Sequence, residues 1–179
     1  MHYLLLFLII IFSFSPVYSK DKDSLGTVRT KDFRYSLVTP KGWIADMQSG
    51  LEGGIPLIFL PKGKNWENSP VAFYSYVEPI DSAKPVILII NEDSRRMSMG
   101  IPKLSAKHLK MFALGNASVQ VVHYISEEGK LFDAVAYIVQ SPTLMVRYVF
   151  SAKTKEDFTK NLPLFEKSLQ SYNFTAERE

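Results

Sequence analysis

The 179-residue chain contains no cysteine. That excludes disulfides, thiolate metal sites, a catalytic thiol and a lipid-modified N-terminal cysteine together. Charge of one sign is also scarce: 21 Lys and Arg stand against 18 Asp and Glu, a formal net charge of +3, and neither sign forms a long block. A protein that neutralises phosphates concentrates its basic residues, so nucleic acid is not an expected partner. No Gly-rich phosphate loop, nucleophile elbow or metalloprotease motif occurs, and the sequence therefore assigns no catalytic residue and no cofactor. What remains is an ordinary folding composition, 46% hydrophobic and 13% aromatic, long enough for one domain with a sizeable core.

The apolar run from Leu4 to Phe12 is followed by a smaller, more polar stretch ending Val17-Tyr18-Ser19. This reads as a secretory signal over residues 1–19 cleaved after Ser19, although the first residues offer His2 where Lys or Arg is usual. The run is short for a membrane span, which needs about 20 apolar residues. An exported protein, periplasmic or extracellular, is the expectation, with membrane attachment only if the N-terminal segment is retained. Residues 20–31 are polar and read as a flexible leader, and residues 32–175 as a single domain.

Within that domain Phe33-Arg34-Tyr35-Ser36-Leu37-Val38 alternates large and small or polar groups, the period-two mark of a half-buried strand. Further strands are expected at Trp43-Ile44, at Pro56-Leu57-Ile58-Phe59-Leu60 and at Val71 to Val77. Asp81 or Ser82 is expected to cap a segment with Pro85 in its first turn and Val86, Ile90 and Met97 on one face. The β-branched run from Val86 to Ile90 also leaves a buried strand open. From 104 to 152 four strands follow, turning at Gly115-Asn116, Glu127 to Lys130 and Ser141-Pro142, an antiparallel meander. Two of these strands are apolar on both alternate sets, so both sheet faces should be covered. Residues 154–172 supply one cover: Thr154 to Asp157 resembles a capping box, and Phe158, Leu162, Phe165, Leu169 and Tyr172 form a stripe. Pro163 is expected to kink or divide that helix. The fold class is α+β, an antiparallel sheet with helices packed on both faces.

Phe33 to Leu37 followed by Pro40-Lys41-Gly42-Trp43, and the closing Phe158, Leu162, Phe165 and Ser171-Tyr172-Asn173-Phe174, resemble the opening and closing units of the PsbP superfamily. That superfamily includes a Ran-binding import factor and bacterial exported proteins of unknown role. The resemblance implies an α/β/α sandwich and a noncatalytic binding or assembly module with a protein partner, rather than an enzyme. No functional residue of the family maps onto this sequence.

The candidate chemistry is thin. A two-residue turn at Gly115-Asn116 sets His108 opposite His123, with Cβ atoms about 5 Å apart, close enough to share a metal but short of the three ligands zinc needs. Half-buried histidines are the plainer expectation. Glu92-Asp93 and Glu127-Glu128 read as solvated surface carboxylates. Asp133 interrupts an apolar strand and needs a partner; Arg147 is a candidate, but alternation about the Ser141-Pro142 turn sends the two to opposite faces. Trp43, Trp66, Phe73, Tyr74 and Tyr76 line either a groove or the core. Trp66 stands apart, in a loop with Lys62 and Lys64 that suits a partner interface. The alternative function is a small-ligand carrier or an enzyme with a pocket between sheet and helix.

Overall fold

The alternating apolar segments become strands of one large sheet because each can bury one face only by pairing with neighbours and being covered. The computed structural model describes residues 24–176, so the signal-peptide reading of residues 1–19 lies outside the described residues. The strands are β1 (Leu25–Arg29), β2 (Phe33–Val38), β3 (Trp43–Asp46), β4 (Leu57–Pro61), β5 (Val71–Pro79), β6 (Ser105–His108), β7 (Phe112–Leu114), β8 (Ala117–Ser126), β9 (Leu131–Ser141), β10 (Leu144–Ala152) and β11 (Asn173–Ala176). Two helices, α1 (Val86–Gly100) and α2 (Lys155–Gln170), separate them. An eight-stranded antiparallel sheet runs β3-β4-β5-β10-β9-β8-β6, with β7 also pairing with β8. A second, three-stranded sheet runs β1-β2-β11.

Each face of the large sheet has its own apolar cluster. On one, Phe59, Phe73, Ala134, Ala136, Tyr148 and Phe150 pack beneath α2 and the small sheet, whose Tyr35 and Leu37 join the same cluster. On the other, Val122, Tyr124, Val135, Tyr137, Met145 and Val149 meet Ile89 and Ile90 of α1. The α+β class and helices on both faces are as the pattern requires, and the small sheet is an added layer.

Four local expectations are corrected. Residues 25–29 of the supposed leader are strand β1, paired with β2 from Leu25↔Val38 to Arg29↔Arg34. Its pattern was hidden because one of its two inward residues is Gly26, where an added Cβ would stand only 2.6 Å from Leu57 and Phe59 of β4. Helix α1 settles the helix-or-strand choice, but Pro85 is its N-cap residue and no side chain caps it. Asp81 instead closes the preceding turn through its Oδ1 to the Ala83 amide, 2.9 Å. Helix α2 runs unbroken through Pro163. That proline is exposed, as is Thr159 one turn earlier, so the unmatched carbonyl falls on the solvent side of the helix. The cap of α2 is as expected, the Asp157 amide donating to Thr154 Oγ1 at 3.1 Å.

The fourth correction concerns register. The first meander strand is broken into β6 and β7. Across the Gly115-Asn116 turn Phe112 pairs with Val119, but beyond the break Lys107, not His108, pairs with His123. The residues between them absorb one extra position, as in a β-bulge. Because side chains alternate with period two, this single step carries His108 and His123 to opposite faces.

Candidate functional site

A cleft of about 290 Å³ opens between α1 and the large sheet. Val135 and Val149 line its apolar part, Tyr74, Tyr76, Tyr124 and Tyr137 its aromatic part, and Asp93, Arg96, Asp133 and Arg147 its charged part. Its existence depends on a second one-residue step. A plain two-residue turn would pair Arg147 with Ile138, on the α2 side. The register shifts between Leu144 and Met145, so that Arg147 pairs with Tyr137. Arg147 and Asp133 therefore share the α1 face, contrary to the sequence expectation.

Asp93 is the centre of a closed network. The expectation of a solvated surface holds for its neighbour Glu92, which meets Lys84 at 2.6 Å with half of its side chain exposed. Asp93 itself is only 7% exposed. Its Oδ2 forms an ion pair with Arg147 Nη1 at 2.6 Å and accepts from the Tyr137 hydroxyl at 3.1 Å, while Oδ1 accepts from Arg96 Nη2 at 2.7 Å. Since Tyr137 has a single hydroxyl proton and gives it to Asp93, Tyr124, 2.9 Å away, must be the donor to Tyr137. The signal that was available is helical spacing: Asp93 lies between Ile90 and Met97, three residues after one and four before the other, on the stripe already assigned to the buried face.

Arg147 ties that network to β5. Its Nε lies 2.7 Å from Glu78 Oε2, an ion pair without hydrogen-bond alignment. Its guanidinium sits 5.2 Å from the Tyr137 ring centroid and 5.7 Å from that of Tyr76. Burial opposes its charge, but Tyr76, Asp93 and Glu78 outweigh that and raise its pKa further.

Asp133 differs from Asp93 in the same cleft. It is 9% exposed, and its Oδ1 is buried with no hydrogen-bond partner. Burial raises its pKa to about 6, and a hydrogen bond from Ser151, its partner across the β9–β10 ladder, only partly opposes this. Tyr74 has its own pKa raised, first by burial and then by the Asp133 charge. An uncompensated buried carboxyl costs stability, and such groups concentrate at functional sites.

The histidines do not form a site. His123 is half-buried on the α2 face, edge-on to Phe158 at 5.5 Å, and its pKa is lowered by burial and then by Lys107. His108 is exposed on the other face. Among the described residues no three His, Asp or Glu side chains converge as metal ligands. Glu127 and Glu128 are exposed turn residues paired with Lys155 and Lys103. The aromatic set divides by sheet face. Trp43 stacks on core residue Phe73 at 4.4 Å, whereas Tyr74 and Tyr76 line the cleft.

Trp66 is 45% exposed and meets Tyr74 edge-on at 5.5 Å, which places it beside the cleft. Its loop is pinned by reciprocal bonds, the Asn65 amide to Asn68 Oδ1 at 3.0 Å and the Asn68 amide to Asn65 Oδ1 at 2.9 Å. Lys62 and Lys64 are exposed in the same loop.

No family model and no curated protein matches the sequence. Solved structures do. The chain is similar to cyanobacterial PsbP (CyanoP) from Synechocystis sp. PCC 6803, with a TM-score of 0.56 and 12% identity, covering 90% of this chain and 99% of that one. It is also similar to PA94 from Pseudomonas aeruginosa, a protein of unknown function, with a TM-score of 0.52 and 14% identity, covering 87% and 98%. Among the described residues no helix is long and apolar enough to cross a membrane. At these identities the likeness concerns architecture alone, and on that architecture the chain has a PsbP-like α+β fold.

Proposed function

We propose that this chain is an exported, noncatalytic binding or assembly module that meets a protein partner through the Trp66 loop. The observation that carries the reading is a large exposed indole held on a loop fixed by its own side-chain bonds, so little ordering entropy is lost when a partner covers it. Lys62 and Lys64 supply a basic rim that suits an acidic partner surface. The PsbP-like fold supports the noncatalytic part, because the family resemblance implies binding subunits. The test is a photoreactive amino acid placed at Trp66 in the full chain, expressed in its own envelope, with Thr159 on the exposed side of α2 as control. One discrete crosslinked species from position 66 and none from 159 is expected. No adduct at 66, or the same smear from both, overturns it.

The cleft supports a second reading, a small-ligand carrier or an enzyme with a pocket between sheet and helix. The observation in its favour is the polar lining beneath α1, where a purely structural interface would be filled.

A further inference from the structure

Two carboxylates of the cleft have opposite circumstances. Asp93 has each oxygen in an ion pair with a guanidinium. Asp133, on the same sheet face and equally withdrawn from water, retains an oxygen with no partner. The fold already holds two guanidiniums in this cleft, and both are engaged at Asp93. The charge missing from the cleft is therefore positive and belongs at Asp133.

The remaining lining agrees with a cation. Tyr74, Tyr76, Tyr124 and Tyr137 contribute aromatic rings, whose faces carry negative potential. An anion would have to enter beside Asp133 and Asp93, and a neutral ligand would leave Asp133 uncompensated. The volume sets the size: at about 30 Å³ per water-sized unit, 290 Å³ accommodates on the order of ten non-hydrogen atoms. Resting on the pocket reading above, we propose that this cleft binds a small organic amine as its ammonium ion, with the Asp133 carboxylate as counter-ion and the tyrosine rings around the hydrocarbon part. This places the ligand outside the Trp66 loop but beside it, since Tyr74 contacts both.

Binding should follow the protonation of Asp133. The groups facing it are Ser151 and Arg147 on β10, Tyr74 and Tyr76 on β5, Tyr124 on β8, Tyr137 on β9, and Asp93 and Arg96 on α1. Tyr74, Tyr76 and Tyr137 are all moved upward, by burial first, and the tyrosines and acids around Arg147 raise its pKa further against burial. Asp133 titrates near pH 6.

The experiment is calorimetric titration of the full chain with benzylammonium chloride and, separately, benzyl alcohol, at pH 8 and pH 5, for the native protein, Asp133→Asn and Met97→Trp. A hydrogen bond to a charged group contributes about tenfold to a hundredfold in affinity. Expected are saturable binding of the amine at pH 8, a loss of about tenfold or more at pH 5 and in Asp133→Asn, and comparably weaker binding of the alcohol. Met97→Trp, which fills the cleft, abolishes binding of both. Circular dichroism and melting confirm that each variant is folded. Equal affinity for amine and alcohol, or undiminished amine binding by Asp133→Asn, overturns the amine proposal and leaves the pocket reading standing. Absence of binding by either compound, or binding that Met97→Trp does not affect, overturns both.

Discussion

The two faces of the large sheet solve the same problem, covering a hydrogen-bonded layer, with different chemistry. Beneath α2 the cover is dry and aromatic: Phe165 stacks on Tyr148 at 4.9 Å and meets Phe73 edge-on at 5.6 Å. Tyr148 donates to Ser168 at 2.9 Å and Ser168 to the Val38 carbonyl at 2.8 Å, while His123 Nε2 is buried there as a neutral group without a hydrogen-bond partner. Beneath α1 the cover is ionic and incomplete, with one carboxylate saturated and another not. The contrast teaches that the α2 face holds the fold and the α1 face buries ionisable groups, one of them a carboxyl with an unpaired oxygen, the usual sign of a surface kept for something other than stability.

The comparison can be broken most forcefully on the dry side. Phe165→Ala removes a fully buried ring from the aromatic cluster and should destabilise the domain by about 4 kcal/mol in urea unfolding; a loss below about 1 kcal/mol would mean that α2 is not the main cover. On the wet side, Arg147→Met strands Asp93 and Glu78 and should cost about 3 kcal/mol. Adding Asp93→Asn should recover part of that loss, and no recovery would show that Arg147 acts through packing instead of charge.

The smallest effect has the opposite sign. An unfolded Asp titrates near 3.9 and Asp133 in the fold near 6. Between those values the native state holds more protons than the unfolded chain, so stability falls as pH rises, and the full penalty is present above about pH 6. Asp133→Asn should therefore stabilise the domain by about 2 kcal/mol at pH 7.5 and by almost nothing at pH 4. Thermal melts at the two pH values measure this, and a variant destabilised at pH 7.5 would show that Asp133 has a native cationic partner.

Much of the architecture was legible because it depends on periodicity. The doubly apolar β9 and β10 demanded two covers, and the stripe through Phe158 and Phe165 identified one. What escaped were single-residue events. An inward Gly26 contributes no side chain to a hydrophobic pattern, so β1 resembled a leader. The steps after His108 and at Leu144 leave no mark in composition, yet each reverses which face the residues beyond it occupy. One dissolved a candidate histidine pair, and the other assembled the cleft by bringing Arg147 to Asp93. Asp93 itself was readable from its helical position but was obscured by Glu92, whose exposure represented the pair.

The small sheet has a consequence of a different kind. Strands β1 and β11 flank β2 and both run antiparallel to it, one beginning opposite Val38 and the other finishing opposite Phe33. The described chain thus enters and leaves at opposite ends of one three-stranded ribbon. Tension applied through the two ends is shared along both ladders in shear, so the bonds resist together instead of parting one after another, and the aromatic interior lies behind that clasp.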